Sequence, residues 1–264
     1  MKTARILAAV LLIGAALAPE GRAEPRLITL TTTAAAQPWT AVGRLNLGRS
    51  GFCTGALVAP DLVLTAAHCM FDRRSGGMID PGQIEFLAGW RGGHAVAKRR
   101  ARRIAVHPAY RYDASDRLER VSVDLALVEL ERPIRNAAVL PFRTHESPEP
   151  GDEVEIVSYT RDRAETPSLQ DHCTVLGRDP RILVLNCEVS FGASGAPIFV
   201  MRRGEPMIAS VVSAKARWRG RPVALGAALG PPLAEVLDAL ESAPARTAGL
   251  DGRPEGARFV RARE

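Results

Sequence analysis

Residues 190–199 read Ser-Phe-Gly-Ala-Ser-Gly-Ala-Pro-Ile-Phe (SFGASGAPIF), small residues around one hydroxyl that pass straight into an apolar segment. Two readings fit: an ordinary glycine-rich bend, or a turn that holds Ser194 out as a nucleophile. A serine hydroxyl is a poor nucleophile at neutral pH. It needs a base to take its proton, a carboxylate to orient that base, and backbone N–H groups to receive an oxyanion. Whether the chain supplies those partners decides between the readings, and with them the fold.

The histidines are His68, His94, His107, His145 and His172, and all precede Ser194. That order excludes the α/β-hydrolase arrangement, in which the histidine follows the serine. Ala196 also replaces the last glycine of the corresponding Gly-x-Ser-x-Gly turn. His68 lies near the end of residues 61–69, DLVLTAAHC, where an apolar strand runs into small residues and the histidine sits beside Cys69. Asp124 opens residues 124–130, DLALVEL, at the mouth of another apolar strand. A carboxylate there is costly unless something pairs with it, and a histidine is a natural partner. Taken singly these are a core-edge histidine, a turn aspartate and a turn serine. Taken in order, they point to nucleophilic catalysis.

The rest of the composition sets the compartment. Of 264 residues 46% are hydrophobic, enough for a sizeable core, so a folded globular chain is expected rather than disorder. The net charge of +6 is carried almost entirely by arginine, the lysines being Lys2, Lys98 and Lys215. Lys2 and Arg5 precede an apolar run from Ile6 to Ala18, too short to span a bilayer comfortably and followed by small residues. This is the pattern of a secretory signal peptide over residues 1–23, with cleavage after Ala23, because Pro19 hinders cutting after Ala18. The expected mature chain is exported, to periplasm or medium, with no membrane span. Cys53 and Cys69 form one near pair and Cys173 and Cys187 a second. In an oxidising compartment an even count argues for disulfides, with three connectivities open and local pairing favoured. The alternative, a metal on Cys53, Cys69 and His68, lacks the close Cys-x-x-Cys spacing of tetrahedral sites. No metal and no cofactor are expected.

From Pro38 to about Ala228 short apolar runs alternate with Gly, Pro, Asp and Asn, the pattern of an all-β sandwich or barrel. Helical period comes only at Pro231–Leu240, where Leu233, Val236, Leu237 and Leu240 share a face behind two prolines. A polar, proline-rich break at Thr144–Gly151 separates two halves of similar size, and the chain after Ser242 has little to bury. The run Lys98-Arg99-Arg100-Ala101-Arg102-Arg103 reads as a solvated strand face, since no aromatic residues lie near to stack nucleic-acid bases.

Thr65–Cys69 (TAAHC), residues 124–127 (DLAL) and residues 192–197 (GASGAP) together resemble the motif regions of trypsin- or chymotrypsin-like serine peptidases. Pro38-Trp39, residues 53–57 (CTGAL) and residues 107–110 (HPAY) add to the likeness, which covers about Pro38 to Leu240. The resemblance implies two antiparallel six-stranded β-barrels with a C-terminal helix. The first, over residues 38–145, would carry the histidine and aspartate. The second, over 146–241, would carry the serine and the helix. Residues 24–37 would be a short N-terminal segment and 242–264 a disordered tail. By the same match His68 is the general base, Asp124 its orienting carboxylate and Ser194 the nucleophile. The N–H groups of Gly192 and Ser194 would form the oxyanion hole, Ser213 would support Asp124, and Cys53–Cys69 would be the disulfide beside the histidine.

The chain departs from the animal enzymes at Ala193, where they carry the aspartate that holds a newly cut N-terminus. Arg26-Leu27-Ile28 lies about where an activating cut would fall but lacks the expected glycines, so signal-peptide removal is expected to suffice. These departures look more like the bacterial exported branch similar to glutamyl endopeptidases. For the primary pocket the candidates are Glu188, Val189, Ala214 and Lys215. An acid at Glu188 implies basic substrate side chains, whereas Lys215 would neutralise it or invite an acidic group. Val212 stands where a histidine would support a glutamate-selective pocket. The resulting expectation is a monomeric serine endopeptidase acting on protein or peptide through an acyl-enzyme, with a catalytically silent binding protein of the same fold as the alternative.

Overall fold

The computed structural model describes residues 25–145 and 148–242. The expected signal peptide, and the tail from residue 243, lie outside the described residues. The chain opens with β1 (Arg26–Thr29) and a single turn of helix, α1 (Thr33–Ala36). Six strands then close an antiparallel barrel: β2 (Val42–Leu47), β3 (Phe52–Ala59), β4 (Leu62–Thr65), β5 (Ile84–Ala88), β6 (Ala97–Val106) and β7 (Ala126–Leu130), in the order β2-β3-β4-β7-β6-β5. Leu45, Leu57, Leu64, Phe86, Leu127 and Leu130 fill its interior. Between β6 and β7 lies a short helix, α2 (Arg117–Ser122), capped by the Asp116 carboxylate, which accepts from the Leu118 and Glu119 amides.

The second half contributes β8 (Glu153–Thr160), β9 (Arg163–Asp179), β10 (Ile182–Leu185), β11 (Pro197–Arg202), β12 (Glu205–Trp218) and β13 (Arg221–Ala228). Their sheet runs β1-β9-β10-β13-β12-β11-β8, and pairing of β8 back onto β9 closes six of the strands into a ring. The fold is therefore the all-β, two-barrel architecture expected, ending in helix α3 (Pro231–Ser242). The N-terminal segment adds a strand not read from sequence. Arg26–Thr29 pairs with Ser168–Asp171 of β9, and Arg26 Nη2 lies 2.8 Å from Asp171 Oδ2. β9 itself is polar (RAETPSLQDHCTVLGRD) and carries no alternating signal over its whole length. It is a strand because β1, β8 and β10 all pair with it.

Two contacts tie the halves together. Trp39, Phe142 and Phe199 meet with ring centroids 4.7 to 6.3 Å apart, joining the cores. α2 inserts Val121 among Ile182, Val223 and Leu225 of the second sheet. Helix α3 returns to the first barrel, burying Val236 and Leu240, and its Glu235 Oε2 lies 3.2 Å from Nε2 of buried His107. In the basic run, Lys98, Arg100 and Arg102 face solvent, as alternation requires. A register shift between Ala101 and Arg103 then brings both Arg102 and Arg103 onto the Glu129 carboxylate.

No helix among the described residues is long and apolar enough to cross a membrane.

Candidate active site

His68 sits in a tight turn, Ala67–Met70, directly after β4. Cys69 is bonded to Cys53 of β3 with an S–S distance of 2.02 Å, which anchors that turn to the neighbouring strand. The bond also disposes of the metal alternative: His68, Cys53 and Cys69 are clustered, but both sulfurs are in the disulfide and neither is a thiolate ligand. Cys173 and Cys187 pair with each other, so the local connectivity holds for both pairs.

Asp124 lies between α2 and β7 and is 2% exposed. Burying a carboxylate this deeply is unfavourable unless its oxygens are hydrogen-bonded. Here Oδ1 accepts from the His68 amide at 2.8 Å, and Oδ2 is 2.7 Å from His68 Nδ1. Ser213 donates a short hydrogen bond to the same Oδ2. Ser213 reaches it because β12 slips register against β13 between Val212 and Ala214, which re-aims the intervening side chain. With Nδ1–H donated to the carboxylate, the lone pair of His68 Nε2 is left as the basic one.

Ser194 occupies the turn before β11 and, with His68, lines a cavity of about 190 Å³. Gly192 has φ +102°, and an added Cβ would sit 2.6 Å from the Phe52 ring and 2.7 Å from the Tyr159 carbonyl. Only glycine fits there. Around the turn, the amides of Ala193, Gly195 and Ala196 donate to Ser190, Val212 and Ala193 carbonyls. Those of Gly192 and Ser194 have no acceptor among the described residues, which leaves two N–H groups beside the hydroxyl.

The pocket candidates divide. Val189, Ala214 and Lys215 line the Ser194 cavity together with Arg73 and Phe191. Glu188 does not. It is exposed and lines an outer recess that Val189 and Lys215 also border. Of the four pocket candidates, Glu188 alone is outside the lining of the Ser194 cavity. Lys215 instead places Nζ 4.8 Å from the centroid of the Phe191 ring, with Arg161 at 5.1 Å from the same ring. Sequence reasoning missed Phe191, Arg73 and Thr54 as site residues. Thr54 adjoins the CTGAL motif, but its partners lie in the other barrel.

Two closed antiparallel barrels, with a histidine–aspartate pair from one meeting a serine turn from the other, define the chymotrypsin-like class of fold. Residues 28–217 match the Trypsin family, and the chain belongs to that family of serine peptidases. A solved structure described as Glu endopeptidase in complex with MPD shares the fold, with a TM-score of 0.66 over 80% of this chain and 94% of that one. The two sequences are 18% identical.

Proposed function

We propose that the chain is an exported serine endopeptidase working through Ser194, His68 and Asp124 and an acyl-enzyme. The observation that carries this is the 2.7 Å contact between His68 Nδ1 and Asp124 Oδ2, with Ser194 opening into the cavity that His68 lines. In the first step His68 Nε2 takes the Ser194 proton as Oγ attacks the scissile carbonyl carbon. The carbonyl π electrons move to oxygen, and the Gly192 and Ser194 amides donate to that oxyanion. Collapse expels the amine, which takes the proton back from His68 and leaves the acyl group on Oγ. Water then repeats the sequence and frees the acid. Asp124 orients the ring through its contact with Nδ1 and stabilises the imidazolium. Export is supported by the leader-like residues 1–23 and the two disulfides, and nothing in this mechanism calls for a second copy of the chain.

An acidic side chain before the cut is favoured. Lys215 and Arg73 both line the Ser194 cavity and no carboxylate among the described residues does, a charge balance that suits an anion. The name of the structural relative, Glu endopeptidase, points the same way. Beyond Val212 the described part of β12 pairs only with β13, leaving an edge along which an extended peptide can lie.

The test is covalent labelling of the mature protein and of Ser194→Ala with a fluorophosphonate probe. Labelling of the first alone supports the peptidase. Labelling of neither, in folded protein, makes this a binding protein on a peptidase fold.

A further inference from the structure

A second cavity, of about 310 Å³, adjoins the His68–Asp124 pair and shares the Ser213–Ala214 wall with the Ser194 cavity. Its remaining lining is Tyr110, Tyr112, Val121 and two cations, Arg117 and Arg120. The mechanism above uses neither arginine.

Both are held where they are by α2. Val121 anchors the helix in the second sheet, and Arg120 Nη1 donates to the carbonyls of Tyr112 at 2.9 Å and Ala114 at 3.5 Å. Arg120 therefore has a fixed place, and no ion pair to a carboxylate is present for it among the described residues. Arg117 is exposed at the start of α2 and likewise lacks a carboxylate partner among them. The one carboxylate in the lining, Asp124, already accepts from His68 and Ser213. Tyr110 is 4% exposed, and its buried hydroxyl has no hydrogen-bond partner among the described residues. Burial, with the Asp124 charge second, pushes this phenol well above its usual value, so it stays a neutral donor. A cavity with two cations, an unpartnered phenol and no uncommitted carboxylate among the described residues is suited to an anion.

We propose that the cavity beneath α2 is a second specificity subsite, taking an acidic side chain of the bound peptide at a position other than the one whose side chain enters the Ser194 cavity. This rests on the peptidase reading of the neighbouring site. The shared Ser213–Ala214 wall supplies the geometry. Successive side chains of an extended peptide point to opposite sides, so one lying along this edge offers different residues to the two cavities.

The experiment uses mature Ser194→Ala protein and fluorescein-labelled peptides of Ala and Ser, followed by anisotropy. One glutamate is kept fixed and a second is walked along the peptide, each against its glutamine counterpart. One spacing is expected to bind about tenfold more tightly than its counterpart. That gain should vanish in Arg117→Gln, shrink in Tyr110→Phe, and survive in Lys215→Gln. No spacing-dependent gain, or a gain that persists in Arg117→Gln, overturns the subsite. Fluorophosphonate labelling of Ser194 separates the two readings. A labelled enzyme without the gain overturns the subsite alone. An unlabelled protein that keeps an Arg117-dependent gain overturns the peptidase and leaves an acidic-peptide site.

Discussion

Thr54, on β3 of the first barrel, donates its hydroxyl to the carbonyl of Gly192 in the second, at 2.9 Å. The same hydroxyl accepts from the Tyr159 amide at 3.0 Å, and the Thr54 amide donates to the Ser194 carbonyl at 2.9 Å. One fully buried side chain thus pins the serine turn to the barrel that carries His68. Alignment of the two halves depends on it. Thr54→Val keeps the shape but strands a buried N–H and a buried carbonyl, at a cost of about 1–3 kcal/mol. Chemical denaturation should show that loss, and fluorophosphonate labelling should slow by more than the fraction unfolded explains.

Gly195 sits just past Ser194 with φ +77°, and an added Cβ would meet Thr65 Oγ1 and the Thr54 carbonyl inside contact distance. Gly195→Ala is expected to destabilise by about 1–3 kcal/mol from overpacking, with backbone strain added. A lowered Tm together with loss of labelling is the predicted result. An unchanged Tm would show that the turn has room the structure does not indicate.

In the proposed mechanism Ser213 acts through Asp124, to which it donates a hydrogen bond. Hydrogen bonds to charged groups are worth about 1.5–3 kcal/mol. Ser213→Ala should therefore lower kcat/KM by roughly 10- to 100-fold, mostly in kcat. Ser213→Thr, which keeps the hydroxyl, should recover part of it. A fall confined to KM would place Ser213 in substrate binding instead.

His107 couples α3 to the first barrel, and its protonation sets a pH dependence. The Ala109 amide donates to His107 Nδ1 at 3.2 Å, so the neutral ring carries its proton on Nε2, toward Glu235. That contact lacks hydrogen-bond geometry and is electrostatic in character. Burial lowers the imidazole below its ordinary 6.5, against the pull of Glu235 and with Arg181 assisting. The unfolded chain therefore takes a proton first. Stability is full above pH 6.5 and declines as pH falls from there toward the folded value. Denaturation midpoints between pH 7.5 and about 5 should slope for the wild type and flatten for His107→Gln.

Much of the site was legible from residue types and order. His68, Asp124 and Ser194 each stand where an apolar strand meets a turn; singly each has an ordinary reading, and it is their order and the resemblance of the three motifs that mark them as candidates. The small-residue turn around Ser194 was legible too, because turn composition is set within a few residues, whereas the groups that exclude a Cβ at Gly192 and Gly195 lie far off in the chain. The terminal helix was read to within its last turn, since four apolar residues at helical spacing leave little choice. α2 was not read, because six residues are too few to show a period. β9 was not read either, because its strand character comes from three neighbours and not from its own composition.

By itself, then, the sequence determined the class of fold and marked His68, Asp124 and Ser194, in that order, as the proposed triad, since the resemblance of three motifs names them together. Tertiary structure decided the rest. It set Thr54 against Gly192, turned Ser213 onto Asp124 through a register shift, and left Glu188 exposed beside an outer recess. It also brought Arg117 and Arg120 to the edge of the site. Each of these depends on contacts between residues far apart in the chain or on the strand pairing around them, and no local pattern encodes which distant partner a side chain will meet.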